Sequence, residues 1–281
     1  MMEIQTYCNT ITEQLSGYYP YAEAQQISRH LLEEAFGMPY PRLVISNHKV
    51  SEKSSKIEGW LEQLLAKEPI QYVFGYAHFH QMKLKVKRGV LIPRKETELL
   101  CHLLSTKNYL RAGAITADLC TGSGAIALYL ANQQCRVEAV DISSMALEVA
   151  QENLQAYDPK GLVTLREGNL LAPDFTPLFR EYDLVVSNPP YVLERERAEM
   201  MPHVLEYEPE LALFVPDEEG AKFYKAILEH YHPYLRVGGL FAFEINPLLS
   251  DELKCYFEGA GYEVEIERDF DERERFLIAR K

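Results

Sequence analysis

The chain has 281 residues, enough for a sizeable core and for two domains, in the composition of a soluble globular protein. Its 29 basic against 42 acidic residues give a formal net charge of −13, which disfavours a bare nucleic-acid partner because phosphate neutralisation supplies much of such affinity. Five scattered cysteines without a Cys-x-x-Cys pair argue against a zinc site or a disulfide framework, so a reducing, cytoplasmic setting is expected.

Glu3 and Gln5 without a long apolar run predict no signal peptide, and no stretch approaches the ~20 apolar residues of a membrane span. Residues 1–67 read as a helical domain. One helix is bracketed by Pro20 and Gly37. In another, Ile57, Trp60, Leu61, Leu64 and Leu65 recur at helical spacing. This stripe serves equally a bundle packing its own core and a domain that binds the substrate partner. His30 and His48 are isolated and read as ordinary, non-ligating histidines.

Residues 68–95 are expected to form a β-hairpin linker. The run from Pro69 through Gly75 reads as one strand. Met82, Leu84 and Val86, alternating with Lys83, Lys85 and Lys87, read as another. The lysine face is a solvated surface or, alternatively, a patch meeting an acidic partner. His78 and His80 are too few for a metal site. Thr97 is placed to cap a helix starting at Glu98, and Arg94 is open to a ligand contact or an ion pair.

From residue 96 onward strands and helices alternate, which implies an α/β domain with a mostly parallel sheet. The first strand, residues 115–119, ends on Asp118 and Leu119, and Cys120-Thr121-Gly122-Ser123-Gly124 makes a tight turn into a helix. Glycines there let the backbone approach a ligand that the helix N-terminus faces. The second strand, 136–141, ends on Asp141, seventeen residues beyond Gly124. A carboxylate there suits both hydroxyls of a ribose, in competition with capping the following helix. After a third strand, 163–167, Asn169 is placed to read an adenine amine and Leu170 to cover the ring. The glycine pattern is also a loose match to the dinucleotide fingerprint of an NAD-dependent dehydrogenase. Asp118 would repel a pyrophosphate but suit an ammonium group, which favours S-adenosyl-L-methionine. Strands at 240–245, 262–266 and 276–279 bring the sheet to seven, the last two forming an antiparallel edge.

The fourth strand, 182–186, runs into Ser187-Asn188-Pro189-Pro190-Tyr191. Two prolines stop the strand and hold the segment extended at the carboxyl end of the sheet, where ligands bind. The Asn188 side-chain oxygen and the Pro189 carbonyl are acceptors, and Tyr191 is a flat ring. Together with Pro190 they suit a planar group carrying –NH2. The segment resembles the Asn-Pro-Pro-Tyr motif of methyltransferases acting on planar amino groups.

With Ile92-Pro93-Arg94-Lys95-Glu96-Thr97-Glu98, the Asp118 turn, Asp141 and Tyr207-Glu208-Pro209-Glu210-Leu211-Ala212-Leu213, the chain resembles the HemK/PrmC family of release-factor glutamine methyltransferases. The resemblance implies a class I fold and methyl transfer from S-adenosyl-L-methionine to the glutamine side-chain nitrogen of the Gly-Gly-Gln loop of peptide chain release factors. S-adenosyl-L-homocysteine would be the product and no metal is implied. Residues 120–124 and Asp141 would hold the cofactor, residues 188–191 the glutamine, and Asn188 would stand between the two. Cys120 for the usual glycine, Lys95 for proline, and Asn169-Leu170 for Asp-aromatic are departures from the family pattern. Alternatives are a glutamine of a ribosomal protein, adenine in nucleic acid, or a non-catalytic cofactor-binding assembly module. A monomer without membrane or direct nucleic-acid contact is expected.

Overall fold

The computed structural model describes residues 2–46, 49–50 and 55–281, which part into two units, one ending at Phe74 and the other starting at Gly75. His48 lies outside the described residues. The first unit is helical: α1 (Ile4–Leu15), α2 (Tyr21–Phe36), α3 (Tyr40–Ile45), α4 (Ser55–Leu65) and α5 (Ile70–Phe74). Gly37 ends α2 in the left-handed region at φ +63°, its N–H donating to the Glu33 carbonyl, a conformation that costs other residues strain. Ile11, Leu15, Leu31 and Leu32 are fully buried together with Ile57 and Leu64 of the α4 stripe. His30 lies 3.6 Å from Glu33 and edge-on to Phe74.

Helix α5 replaces the strand expected from Pro69 onward. The Pro69 carbonyl accepts from the N–H groups of Tyr72 and Val73, and Gly75 at φ +76° terminates the turn. Val73 joins the core of the helical unit. Packing overrides the β propensity of a run only five residues long.

The second unit opens with the hairpin β1 (Tyr76–Phe79) and β2 (Met82–Lys85) and then α6 (Lys95–Thr106). The boundary between units therefore falls inside the stretch 68–95. Alternation does what it should in β2: Met82 and Leu84 are buried, Lys83 and Lys85 exposed. The lysines are paired within the unit: Lys85 with Glu152 at 2.7 Å, Lys87 with Glu148 at 3.1 Å, and Lys83 over the Tyr76 ring.

Next come β3 (Ile115–Leu119), α7 (Ala125–Asn132), β4 (Arg136–Asp141), α8 (Ser144–Tyr157), β5 (Val163–Glu167) and β6 (Tyr182–Ser187). After the short helix α9 (Pro202–Tyr207) follow α10 (Lys222–Tyr231), β7 (Leu235–Glu244), α11 (Ser250–Gly259), β8 (Glu263–Arg268) and β9 (Glu274–Arg280). The sheet order is β8-β9-β7-β6-β3-β4-β5. Pairing is parallel from β7 through β5, and β9 runs antiparallel to both β7 and β8. The last two strands thus form the expected antiparallel flank, with β9 one place in from the edge strand β8.

Both faces of the sheet are covered, so the central strands are largely buried and rich in apolar residues, with Asp118 and Glu138 as buried acids among them. Along β7, Leu240 and Ala242 join the core under α6, α7 and α8, while Phe241 and Phe243 join the core under α10 and α11. Strand order reverses at β3, whose neighbours are β4 and β6. Such a switch point leaves a crevice at the strands' carboxyl ends. Register puts Leu119 opposite Ser187, and the Ser187 hydroxyl donates to the Leu119 carbonyl at 2.6 Å. No described helix is long and apolar enough to cross a membrane.

Asn153 of α8 ties the hairpin to the sheet. Its Oδ1 accepts from Lys85 N–H at 2.7 Å, and its Nδ2 donates to the carbonyls of Lys85 and Ser123. The residue is buried, so removing it strands three backbone groups. Asn153→Ala is expected to lower stability by about 1–3 kcal/mol. Lys85→Ala, which breaks an exposed ion pair, should cost less than ~1 kcal/mol. Urea denaturation of both variants measures the contrast; equal losses would contradict it.

Candidate active site

The turn after β3 is shaped by three left-handed residues: Cys120 at φ +60°, Gly122 at +56° and Gly124 at +82°. The two glycines serve different ends. A Cβ on Gly124 would lie 3.3 Å from the Ala150 Cβ, so this glycine lets α7 and α8 pack. A Cβ on Gly122 would meet no protein atom within 4 Å, so this glycine leaves room at the cavity wall. Cys120 adopts a conformation that costs a side-chain-bearing residue about 1–2 kcal/mol. Burial pushes its thiol far above the ordinary range.

Asp118 does not face the cavity. It is fully buried beneath the turn, where its Oδ2 accepts from the Thr121 hydroxyl at 2.6 Å and from Ala127 N–H at 2.9 Å. Its Oδ1 has no partner among the described residues. Burial raises its pKa from 3.8 to about 7. The direct ammonium contact expected of it is not open to it in this arrangement.

Asp141 ends β4 with both oxygens engaged. Oδ2 accepts from Gly122 N–H at 2.8 Å and Oδ1 from Ser143 N–H at 2.9 Å. Each oxygen keeps a second acceptor position. The helix-capping role falls to Ser143, whose hydroxyl oxygen accepts from Ala146 N–H. Asn169 Oδ1 accepts from Leu171 N–H, and Leu170 is buried with one side on the cavity.

One cavity of about 300 Å³ gathers these groups. That volume lies at the small end of the range of roughly 300–1,000 Å³ for small-molecule sites. Cys120, Thr121, Gly122, Ser123, Asp141, Asn169 and Leu170 line one part, Asn188 and Pro190 another. Arg94 and Thr97 of the α6 start reach it, as do Pro209, Leu211 and Ala212. Gly124, Pro189 and Tyr191 are not on the wall.

Tyr191 is the clearest departure from expectation. Its ring packs against the core containing Tyr224 and Phe243, and its hydroxyl donates to Glu244 Oε1 at 2.8 Å. A buried carboxylate needs donors, and it draws this ring inward, away from a stacking position over an acceptor. Thr97 does not cap α6, which begins at Lys95. Its hydroxyl donates to Glu244 Oε2 at 2.7 Å and accepts from Asn188 Nδ2 at 3.0 Å. Arg94 forms an ion pair with buried Glu208 at 2.6 Å, and Glu208 also accepts from Ile92 N–H. That pair fastens the Ile92-Pro93-Arg94 segment to the loop lining the cavity through Pro209 and Leu211. No described residue donates to Asn188 Oδ1 or to the Pro189 carbonyl.

Glu244 and Asn153 support this site without having been singled out for it from sequence, whereas Glu208 was quoted there only within the Tyr207–Leu213 segment. Glu244 carries the same signal that marked Asp141, an acid at the carboxyl end of a core strand. The His78 and His80 pair gathers no third ligand; among the described residues no group of three metal-binding side chains is found.

Comparison with known proteins accords with this arrangement. The Methyltransferase small domain family matches residues 94–207. A Release factor glutamine methyltransferase of Bacteroides thetaiotaomicron is 36% identical over 276 residues, covering 96% of this chain and 98% of its own. The chain belongs to the release factor glutamine methyltransferase family. A Streptococcus pneumoniae member is 41% identical over 69% of this chain and 68% of its own. A methyltransferase structure from Pyrococcus furiosus superposes with a TM-score of 0.51 at 18% identity, over 81% of this chain and 99% of that one, a likeness of fold. In this family member the seven-stranded mixed sheet is the class I methyltransferase fold.

Two outcomes follow from the turn. Gly122→Ala places a methyl group in the cavity and should weaken S-adenosyl-L-methionine binding at least about 10-fold by calorimetry, with a strain cost near 1–2 kcal/mol. Unchanged affinity would place the donor elsewhere. Asp118 keeps a proton in the folded chain up to about pH 7 that the unfolded chain releases near 3.8, so its contribution lowers stability as pH rises across that interval. Asp118→Asn, which has no charge to bury, should gain in melting temperature relative to the parent between pH 5 and pH 8. A difference independent of pH would refute the raised pKa.

Proposed function

We propose that the chain transfers a methyl group from S-adenosyl-L-methionine to the side-chain amide nitrogen of the glutamine in the Gly-Gly-Gln motif of peptide chain release factors. The observation that carries this reading is the single cavity with the glycine turn and Asp141 on one wall and Asn188, its oxygen unclaimed, on another. The family relatives named for this activity support it.

The residues present fit the cofactor. Asp141 retains two acceptor positions for ribose hydroxyls, Gly122 leaves space for close backbone approach, and Asn169 and Leu170 offer a polar edge and an apolar face for adenine. The orphaned Asp118 Oδ1 lies beneath this wall as uncompensated acceptor capacity. When bound, the cofactor supplies an electrophilic methyl carbon on a cationic sulfur.

The acceptor nitrogen is a weak nucleophile because its lone pair is delocalised into the carbonyl. Asn188 Oδ1, on the cavity wall, accepts one of its N–H groups. Positive charge grows on that nitrogen during transfer, so this acceptor binds the transition state more strongly than the ground state, and the nitrogen then gives up one proton to solvent. Tyr191 acts from behind the wall, holding the Pro190 corner in place through Glu244. Pro209 and Leu211 help keep water from the reacting atoms.

Incubating the protein with methyl-labelled cofactor and release factors, ribosomal proteins or nucleic acid should put label on the release factor. Label only on another acceptor, or on none, would overturn the assignment. Asn188→Ala should fold and bind cofactor while transfer falls about 100- to 1,000-fold. Near-normal turnover would remove Asn188 from the chemistry.

A further inference from the structure

Asn188 can serve as proposed only if its side-chain amide stands one way round. The oxygen must face the acceptor –NH2; the reversed amide would set donor against donor. An asparagine amide is nearly symmetric in shape, so packing alone does not choose.

Hydrogen bonding does choose. Glu244 is buried at the end of β7, and an ionised carboxylate only accepts. Oε2 takes the single hydroxyl proton of Thr97 at 2.7 Å, and Oε1 takes that of Tyr191 at 2.8 Å. With its proton committed, the Thr97 oxygen can only accept, and it does so from Asn188 Nδ2 at 3.0 Å. Turning the amide round would bring two acceptor oxygens together. The alternative, in which Thr97 turns its proton to Asn188, would leave a buried carboxylate oxygen short of a donor.

We propose that Glu244 and Thr97 are positioning residues: the buried carboxylate, acting through the Thr97 hydroxyl, sets the direction of the Asn188 amide so that its oxygen faces the acceptor nitrogen. The inference rests on the methyl-transfer function proposed above. It joins three strand or helix ends far apart in the chain, and one carboxylate fixes both Asn188 and Tyr191.

The test uses the full chain and a release factor substrate with labelled cofactor. Thr97→Val keeps the shape but neither donates nor accepts. It should lower kcat about 10- to 100-fold, with cofactor affinity within about 2-fold of the parent. Thr97→Ser retains the hydroxyl and should restore most of the rate. In an Asn188→Ala background, Thr97→Val should add little further loss, because its action runs through Asn188. Glu244→Gln leaves one acceptor oxygen for the two hydroxyls and should also lower kcat while a folded melting transition persists. Three results would overturn the relay: Thr97→Val with parental kcat, Thr97→Ser as impaired as Thr97→Val, or losses that simply add in the double variant. Absence of transfer by the unmodified protein is a different failure. It would sink the assigned reaction itself, and the relay with it.

Discussion

The pairing of β3 with β6 is the constraint on which the site depends. Leu119 lies opposite Ser187, and a serine hydroxyl bonded to the Leu119 carbonyl reinforces the match. The next residues on the two strands are Cys120 and Asn188. The turn proposed to hold the methyl donor and the corner proposed to hold the acceptor are therefore neighbours by register. A slip of one residue would send the side chains of β6 to the opposite face and carry Asn188 away with them. Two packed cores resist that slip, since Leu184 and Val186 fill one and Tyr182 and Val185 the other.

Much of this was legible in the sequence because it is local. The core strands of the sheet, the turn at 120–124, the acid at 141 and the Pro-Pro corner each follow from residues within a few positions of one another. What escaped was non-local. Thr97 reads locally as a helix cap, yet its partners are Asn188, 91 residues on, and Glu244, 147 residues on. Tyr191 reads locally as a face for stacking, and Glu244 draws it into the core. The run after Pro69 has strand-forming residues but takes a helical turn because Val73 is needed in the helical core. Periodicity cannot report a hydrogen bond between distant strand ends.

Carboxylates recur at the ends of the strands around the cavity, Asp118 and Glu244 buried and Asp141 half-buried. Asp118 lies in β3, Asp141 ends β4 and Glu244 ends β7, and burial raises the pKa of all three. Their duties differ with their partners. Asp118 braces the turn, Asp141 bonds backbone N–H groups while keeping acceptor capacity, and Glu244 holds two hydroxyls. An acidic chain that concentrates acceptors around one cavity suits a cationic cofactor and an N–H-bearing acceptor better than it suits phosphate.

The position of β9 bears on how the sheet is built. Among the described residues β8 pairs with no strand other than β9, and β9 is inserted between it and β7 although it comes later in the chain. As the polypeptide emerges during synthesis, β8 stays without a docking edge until the strand after it has been made and has slotted in. The half of the sheet formed by β3, β4, β5 and β6 faces no such delay. Assembly of this unit therefore has a built-in direction, with the strands whose ends line the cavity able to consolidate before the far flank closes.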